Sequence, residues 1–298
     1  MPGAWHHRRV SATVRLGTCS WADEGLVKTW YPKGVSTAEK RLRYYAARFD
    51  TVEVDSTFYA LPAPAVAEKW VERTPDDFVF HVKASGEMTH HRETESMETS
   101  FAGFREALAP LELSGKWRGV LLQYHPRFKK SDEAKEELSR VRGPLEPLVP
   151  MIEFRHRSWL EENERDDTFA FLEREGLAFV SVDSPRTRAS NVLPAIAAAT
   201  HRVAYVRFHG RNWRTWNIRG AKRSSERFDW EYSPEELKEW VEPVRDLTER
   251  ADEVYAVFNV NRDDQGPRGA AVFRGLLDEA EIPATGGIEP PSPQVALF

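Results

Sequence analysis

Eight short runs of apolar and β-branched residues punctuate the chain, at 14–20, 51–57, 78–84, 119–125, 150–155, 178–183, 203–209 and 253–260. Each has the length of a strand, and most of the stretches between them repeat their apolar positions at helical spacing. The helix punctuation agrees. Ser36 and Glu39 have capping-box spacing, and Pro64 stands where a first helical turn favours proline. Gly176 marks a helix end, and Ser233, Pro234 and Glu236 combine a cap, a first-turn proline and an acid three residues on. The crossover at 184–202 is the weak one, because Pro194 interrupts a short alanine-rich stretch.

Strict alternation of strand and helix predicts a parallel sheet with helices outside it. Eight repeats over about 270 residues match a (β/α)8 barrel, the TIM-barrel fold, for which ~250 is typical. The first strand runs into "GTCSW", which lacks the G-x-G-x-x-G turn of a doubly wound dinucleotide-binding sheet. The expected organisation is an N-terminal arm (1–13), one barrel domain (14–282) and a Pro/Gly-rich C-terminal tail (283–298).

Polar residues gather late in the strands: Thr18 and Ser20, Glu53 and Asp55, His81 and Lys83, Gln123 and His125, Glu153 and Arg155, Ser181 and Asp183, Arg207 and His209, and Asn259. Members of each pair differ by two, so they share a face. The intervening Val52, Val54, Phe80, Val82, Val206 and Phe208 suit packing against helices. The polar set is therefore expected to converge at the carboxyl mouth of the barrel, where barrel enzymes keep their catalytic groups.

Composition narrows the function classes. The 298 residues are 41% hydrophobic and 30% charged, with a net charge of −5. No global field draws the chain to nucleic acid or an anionic membrane. Cys19 is the only cysteine, which excludes an internal disulfide and a cysteine-based zinc site. No apolar run reaches the ~20 residues of a membrane span, and no secretory h-region follows the basic start. A cytoplasmic protein without a membrane partner is expected.

Within the mouth, Glu53, Glu153, Asp183 and His209 are the candidates for proton transfer. Lys83, Arg155 and Arg207 are the candidates for anchoring phosphate or carboxylate. A metal held by Glu53, Asp183 and His209 is an alternative; no H-E-x-x-H spacing supports it. A structural ion-pair network is a further alternative. After the seventh run, "RNWRTWNIRGAKRSSERF" interleaves basic residues with Trp213 and Trp216, a composition suited to stacking on a base beside its phosphate.

"LGTCSWADEGLVKTWYP", "FDTVEVDSTFYALP", "TPDDFVFHVKASGEMTHH", "EFRHRSW" and "AYVRFHGR", in that order, resemble the domain of unknown function 72 family, the YecE-like proteins. The resemblance spans about residues 14–280 and implies a TIM barrel of unestablished activity. It adds Ser20, Trp21, Ser56, Tyr59, His90, Gln123 and Asn259 to the substrate-binding set, beside Lys83, Arg155 and Arg207. Such barrels are likened to endonuclease IV, which gives a DNA-repair alternative at the level of fold alone. Too few histidines face the inferred mouth for that enzyme's three-metal cluster.

The chain ends in "QVALF" after a proline-rich spacer, similar to the peptides that dock bacterial repair proteins on the sliding clamp. Gln294, Leu297 and Phe298 fit its anchor positions. The leading expectation is an enzyme, a hydrolase or lyase, acting on a phosphorylated or other anionic substrate by acid–base chemistry in the barrel mouth. A non-catalytic anion-binding protein is the rival class.

Overall fold

Each of the eight runs carries a parallel strand in the computed structural model, which describes residues 11–92, 94, 96–218 and 226–288. The strands are β1 (Val14–Thr18), β2 (Thr51–Val54), β3 (Val79–Lys83), β4 (Trp117–Gln123), β5 (Val149–Glu153), β6 (Ala178–Asp183), β7 (Val203–Phe208) and β8 (Glu253–Phe258). A ninth, β9 (Ala284–Thr285), comes from the stretch expected to be tail. The sheet order is β2-β3-β4-β5-β6-β7-β8-β1-β9. The helices are α1 (Glu24–Thr29), α2 (Ala38–Ala46), α3 (Pro64–Glu72), α4 (Met97–Leu113), α5 (Asp132–Arg140), α6 (Arg142–Leu145), α7 (Arg165–Glu175), α8 (Pro234–Lys238), α9 (Val241–Arg250) and α10 (Gln265–Glu279). Among the described residues, no helix is long and apolar enough to cross a membrane.

Local signals mostly act as the sequence suggests. Gly176 closes α7 in the left-handed conformation at φ 69°, and the Ser233–Glu236 capping box forms in full. The cap of α2 differs: Thr37, not Ser36, accepts from the Lys40 amide, while Glu39 pairs with Arg43 one turn on. The crossover at 184–202 forms neither helix nor strand.

The expected eight-strand closure takes a different form: β1 and β2 stand side by side without a ladder. Tyr45 bridges them instead, its hydroxyl accepting from the Thr18 amide at 3.0 Å and donating to the Thr51 carbonyl at 3.1 Å. At the amino end of this seam β9 takes the free edge of β1, and Thr285 Oγ1 donates to Asp50 Oδ2 at 2.5 Å. Gly286, at φ 75°, lies so close that a Cβ there would be 2.5 Å from the Leu16 carbonyl oxygen. The result is a curled nine-stranded sheet. Gln294, Leu297 and Phe298 lie outside the described residues.

Register decides which residues enter the curl. Tyr205 and Arg207 pair with Val180 and Val182, and cross-strand partners share a face. Val180, Val182, Leu121, Met151, Tyr205, Tyr255 and Val257 accordingly form an inner apolar cluster with Cys19. Phe80, Phe179, Val206 and Phe208 belong to the outer layer against the helices.

Candidate active site

Arg207, fully buried near the end of β7, is gripped by two carboxylates. Its Nη2 donates to Glu53 Oε1 of β2 and its Nη1 to Glu153 Oε2 of β5, each at 2.5 Å. The second oxygen of Glu53 accepts from the Tyr205 hydroxyl at 3.0 Å. That of Glu153 accepts from Gln123 Nε2 at 2.7 Å and from Arg155 Nη1 at 3.3 Å. It also stands 3.0 Å from His209 Nε2, while Asn259 Nδ2 lies 2.7 Å from His209 Nδ1. The network itself assigns the tautomer, with Nε2–H donating to Glu153 and Nδ1 accepting from Asn259.

The two carboxyls are driven in opposite directions. Burial raises the Glu53 pKa to about 8, with Asp55 adding to the rise against the pull of Arg207. Burial opposes ionisation of Glu153 as well, but Arg207, His209 and Arg155 together hold it well below the usual carboxylate range. Burial also lowers His209 to about 4, so its imidazole is neutral at physiological pH.

Above this floor opens a cavity of about 920 Å³. Asp55, Lys83, Gln123, Arg155 and Asn259 line it from the strand ends, and Arg227 and Phe228 from the segment after β7. Asp23 joins Asp55 on the β1–β2 side, and its pKa is raised to about 6 by burial and by Asp55. Phe228 stacks on His209 at 5.5 Å between ring centroids, and the Arg155 guanidinium lies 4.6 Å from the centre of the Trp216 ring. The segment after β7 thus roofs the buried histidine.

Residues 15–295 match the family model described as "Protein of unknown function DUF72". The chain belongs to the DUF72 family. It is 31% identical to the UPF0759 protein YunF of Bacillus subtilis over 271 residues, 89% of this chain and 95% of YunF. A DUF72 structure from Thermotoga maritima superposes with a TM-score of 0.77 at 32% identity, covering 89% of this chain and 99% of that one. One from Enterococcus faecalis gives 0.79 at 26%, covering 89% and 96%.

This DUF72 chain brings together most of the residues expected at the mouth. Glu53, Glu153, Arg207 and His209 form the buried floor, while Ser20, Trp21, Ser56, Tyr59, Lys83, Gln123, Arg155 and Asn259 line the cavity. Trp216 is buried against Arg155, whereas Trp213 is 62% exposed.

Several expectations are corrected. Asp183 stands on the outer face of β6, because Val182 takes the inward place beside Arg207. There it accepts from Arg211, Tyr232 Oη at 2.6 Å and Trp240 Nε1 at 3.0 Å, a complete shell away from the cavity. Glu53, Asp183 and His209 therefore do not meet around a common ion. His90 also turns away, its Nε2 2.7 Å from Glu137 Oε1 on the surface. Its neighbour His91 lines the cavity, and burial lowers its pKa to about 4. In β1, Thr18 faces outward and Cys19 inward, 3.6 Å from Arg207 Nη2.

Sequence reasoning missed Cys19, Asp23, Arg73 and His91. The apolar Val14 and Leu16 on the outward face of β1 were a usable signal for Cys19. The other three sit on loops or a helix end, beyond the reach of the two-residue period.

Proposed function

We propose that the cavity binds a small phosphate-bearing molecule and acts on it by acid–base chemistry, as a hydrolase or lyase. The observation that carries this reading is the geometry: two buried carboxyls, Glu53 and Glu153, share Arg207 at 2.5 Å each beneath a cavity lined by Lys83, Arg155 and Arg227, and their pKa shifts run in opposite directions. Environments that split a pair of carboxyls in this way mark a proton donor and a permanent charge. Glu53 is the donor. Asp55 faces the cavity beside it: an oxygen of each, with Cys19 Sγ, all lie within 4.8 Å of one another. Asp55, lining the cavity beside Glu53, is the neighbouring carboxyl through which that proton would pass.

Arg207 spends its guanidinium on Glu53 and Glu153, so anchoring of the anion falls to Lys83, Arg155 and Arg227. Arg155 is buried, and its Nε and that of Arg227 lack hydrogen-bond partners among the described residues. An unsatisfied buried donor costs ~1–3 kcal/mol, which a bound oxyanion offsets. Cys19, Glu53 and Asp55 are close enough to hold a cation, yet Arg207 stands 3.6 Å from the sulfur and 3.7 Å from Asp55. Its fixed charge opposes a divalent ion there, and the proposed chemistry uses none.

Calorimetric titration with inorganic phosphate and ribose 5-phosphate tests the anion site. Arg155→Ala and Lys83→Ala are expected to weaken binding on the order of tenfold or more each, the worth of a charged hydrogen bond. Glu53→Gln should retain binding while lowering turnover by ~10²–10⁴-fold. Phosphate affinity unchanged by Arg155→Ala overturns the anchoring role.

A further inference from the structure

The cavity is wider than its charged floor requires. It runs past the end of β2 onto that strand's outer face, where Val54 lines it together with Leu42 of α2 and Trp70 of α3. In a laddered sheet this layer is filled by strand and helix side chains. Here β1 and β2 carry no ladder, and the chain after β1 lays Trp21 against Trp70 and Phe80 of the outer layer. Trp21 meets Trp70 edge-to-face at 5.5 Å and is only half-buried, so part of its ring surface faces the cavity. Tyr59, 69% exposed, stands at the same wall, and Arg73 carries a positive charge into the arm.

We infer that this arm is a second subsite for a planar aromatic group, so that the ligand is a phosphate ester carrying an aromatic ring system. The inference rests on the anion site proposed above and extends it. A cavity of about 920 Å³ lies near the upper end of the ~300–1,000 Å³ typical for mid-sized ligands, well beyond a phosphate ion alone. Aromatic walls favour flat partners, because a ring offers stacking area and quadrupole contacts that an aliphatic chain does not. The phosphate then lies against Lys83, Arg155 and Arg227, with Trp21 lining the same cavity.

The test compares adenosine 5′-monophosphate with ribose 5-phosphate and inorganic phosphate on the unmodified full chain. The base is expected to tighten binding ~5- to 150-fold over ribose 5-phosphate, the range of one base–aromatic stack. It should also quench tryptophan fluorescence. In Trp21→Leu that advantage should disappear while ribose 5-phosphate binds as before. Equal affinities for nucleotide and sugar phosphate overturn the aromatic subsite and leave the anion site standing. Failure of all three to bind overturns both.

Discussion

At the scale of single residues, the opposed pKa shifts make the stability of this protein a readable function of pH. Glu53 titrates near 8 in the fold, against an ordinary 4.5. The native state therefore holds a proton that the unfolded chain has lost, and stability falls as pH rises from 4.5 through 8. His209 and His91, lowered to about 4, act in the reverse sense: unfolding gains protons, so stability rises between about 4 and 6.5. His81, His125, His156 and His201 are lowered as well and act with those two, while Asp23, raised to about 6, acts with Glu53. The Glu53 effect is therefore read above about pH 7.5, where the unfolded histidines have lost their protons. Urea denaturation across that upper window should show falling stability, by at most ~1.4 kcal/mol per pH unit. In Glu53→Gln the slope should flatten. An unchanged slope would show that the proton lies elsewhere.

At the scale of elements, Asp183 is a fastener. Its buried carboxylate holds Arg211 from the segment after β7, and Tyr232 and Trp240 from either side of α8, onto the outer face of β6. Asp183→Asn takes the buried carboxylate from Arg211 but leaves it Glu239 at 2.9 Å, so the cost in urea denaturation should be on the order of 1.5–3 kcal/mol, that of a lost charged hydrogen bond. Phosphate binding should survive in the folded variant. Loss of binding at unchanged stability would place Asp183 back in the site. The alternation in "AFVSVD" was legible, but its direction was not. The polar pattern points these residues inward, whereas the shell that holds Asp183 comes from residues up to 57 positions away.

At the scale of the whole molecule, the seam between β1 and β2 joins fold and cavity. β9 holds the amino end of β1, Tyr45 ties the end of β1 to the start of β2, and the cavity opens beyond. Gly286 is the tightest point of that wedge. Gly286→Val puts a branched side chain at φ 75° with a Cβ 2.5 Å from the Leu16 carbonyl oxygen. The left-handed backbone alone costs ~1–3 kcal/mol, and the clash adds to it. A lowered urea midpoint is the expected result, and an unaltered one would mean that β9 does not brace the seam.

Strand positions, helix caps such as Ser233 and Gly176, and the convergence of Glu53, Lys83, Glu153, Arg155, Arg207 and His209 all follow from local periodicity. A two-residue repeat needs no distant partner to show itself. Which face of β6 turns inward, that Arg207 is consumed by its two carboxylates, that His91 rather than His90 reaches the cavity, and that β9 occupies the edge of β1 depend on contacts between residues far apart in the chain. Those contacts exist only once the sheet has curled, and so only the tertiary structure decided them.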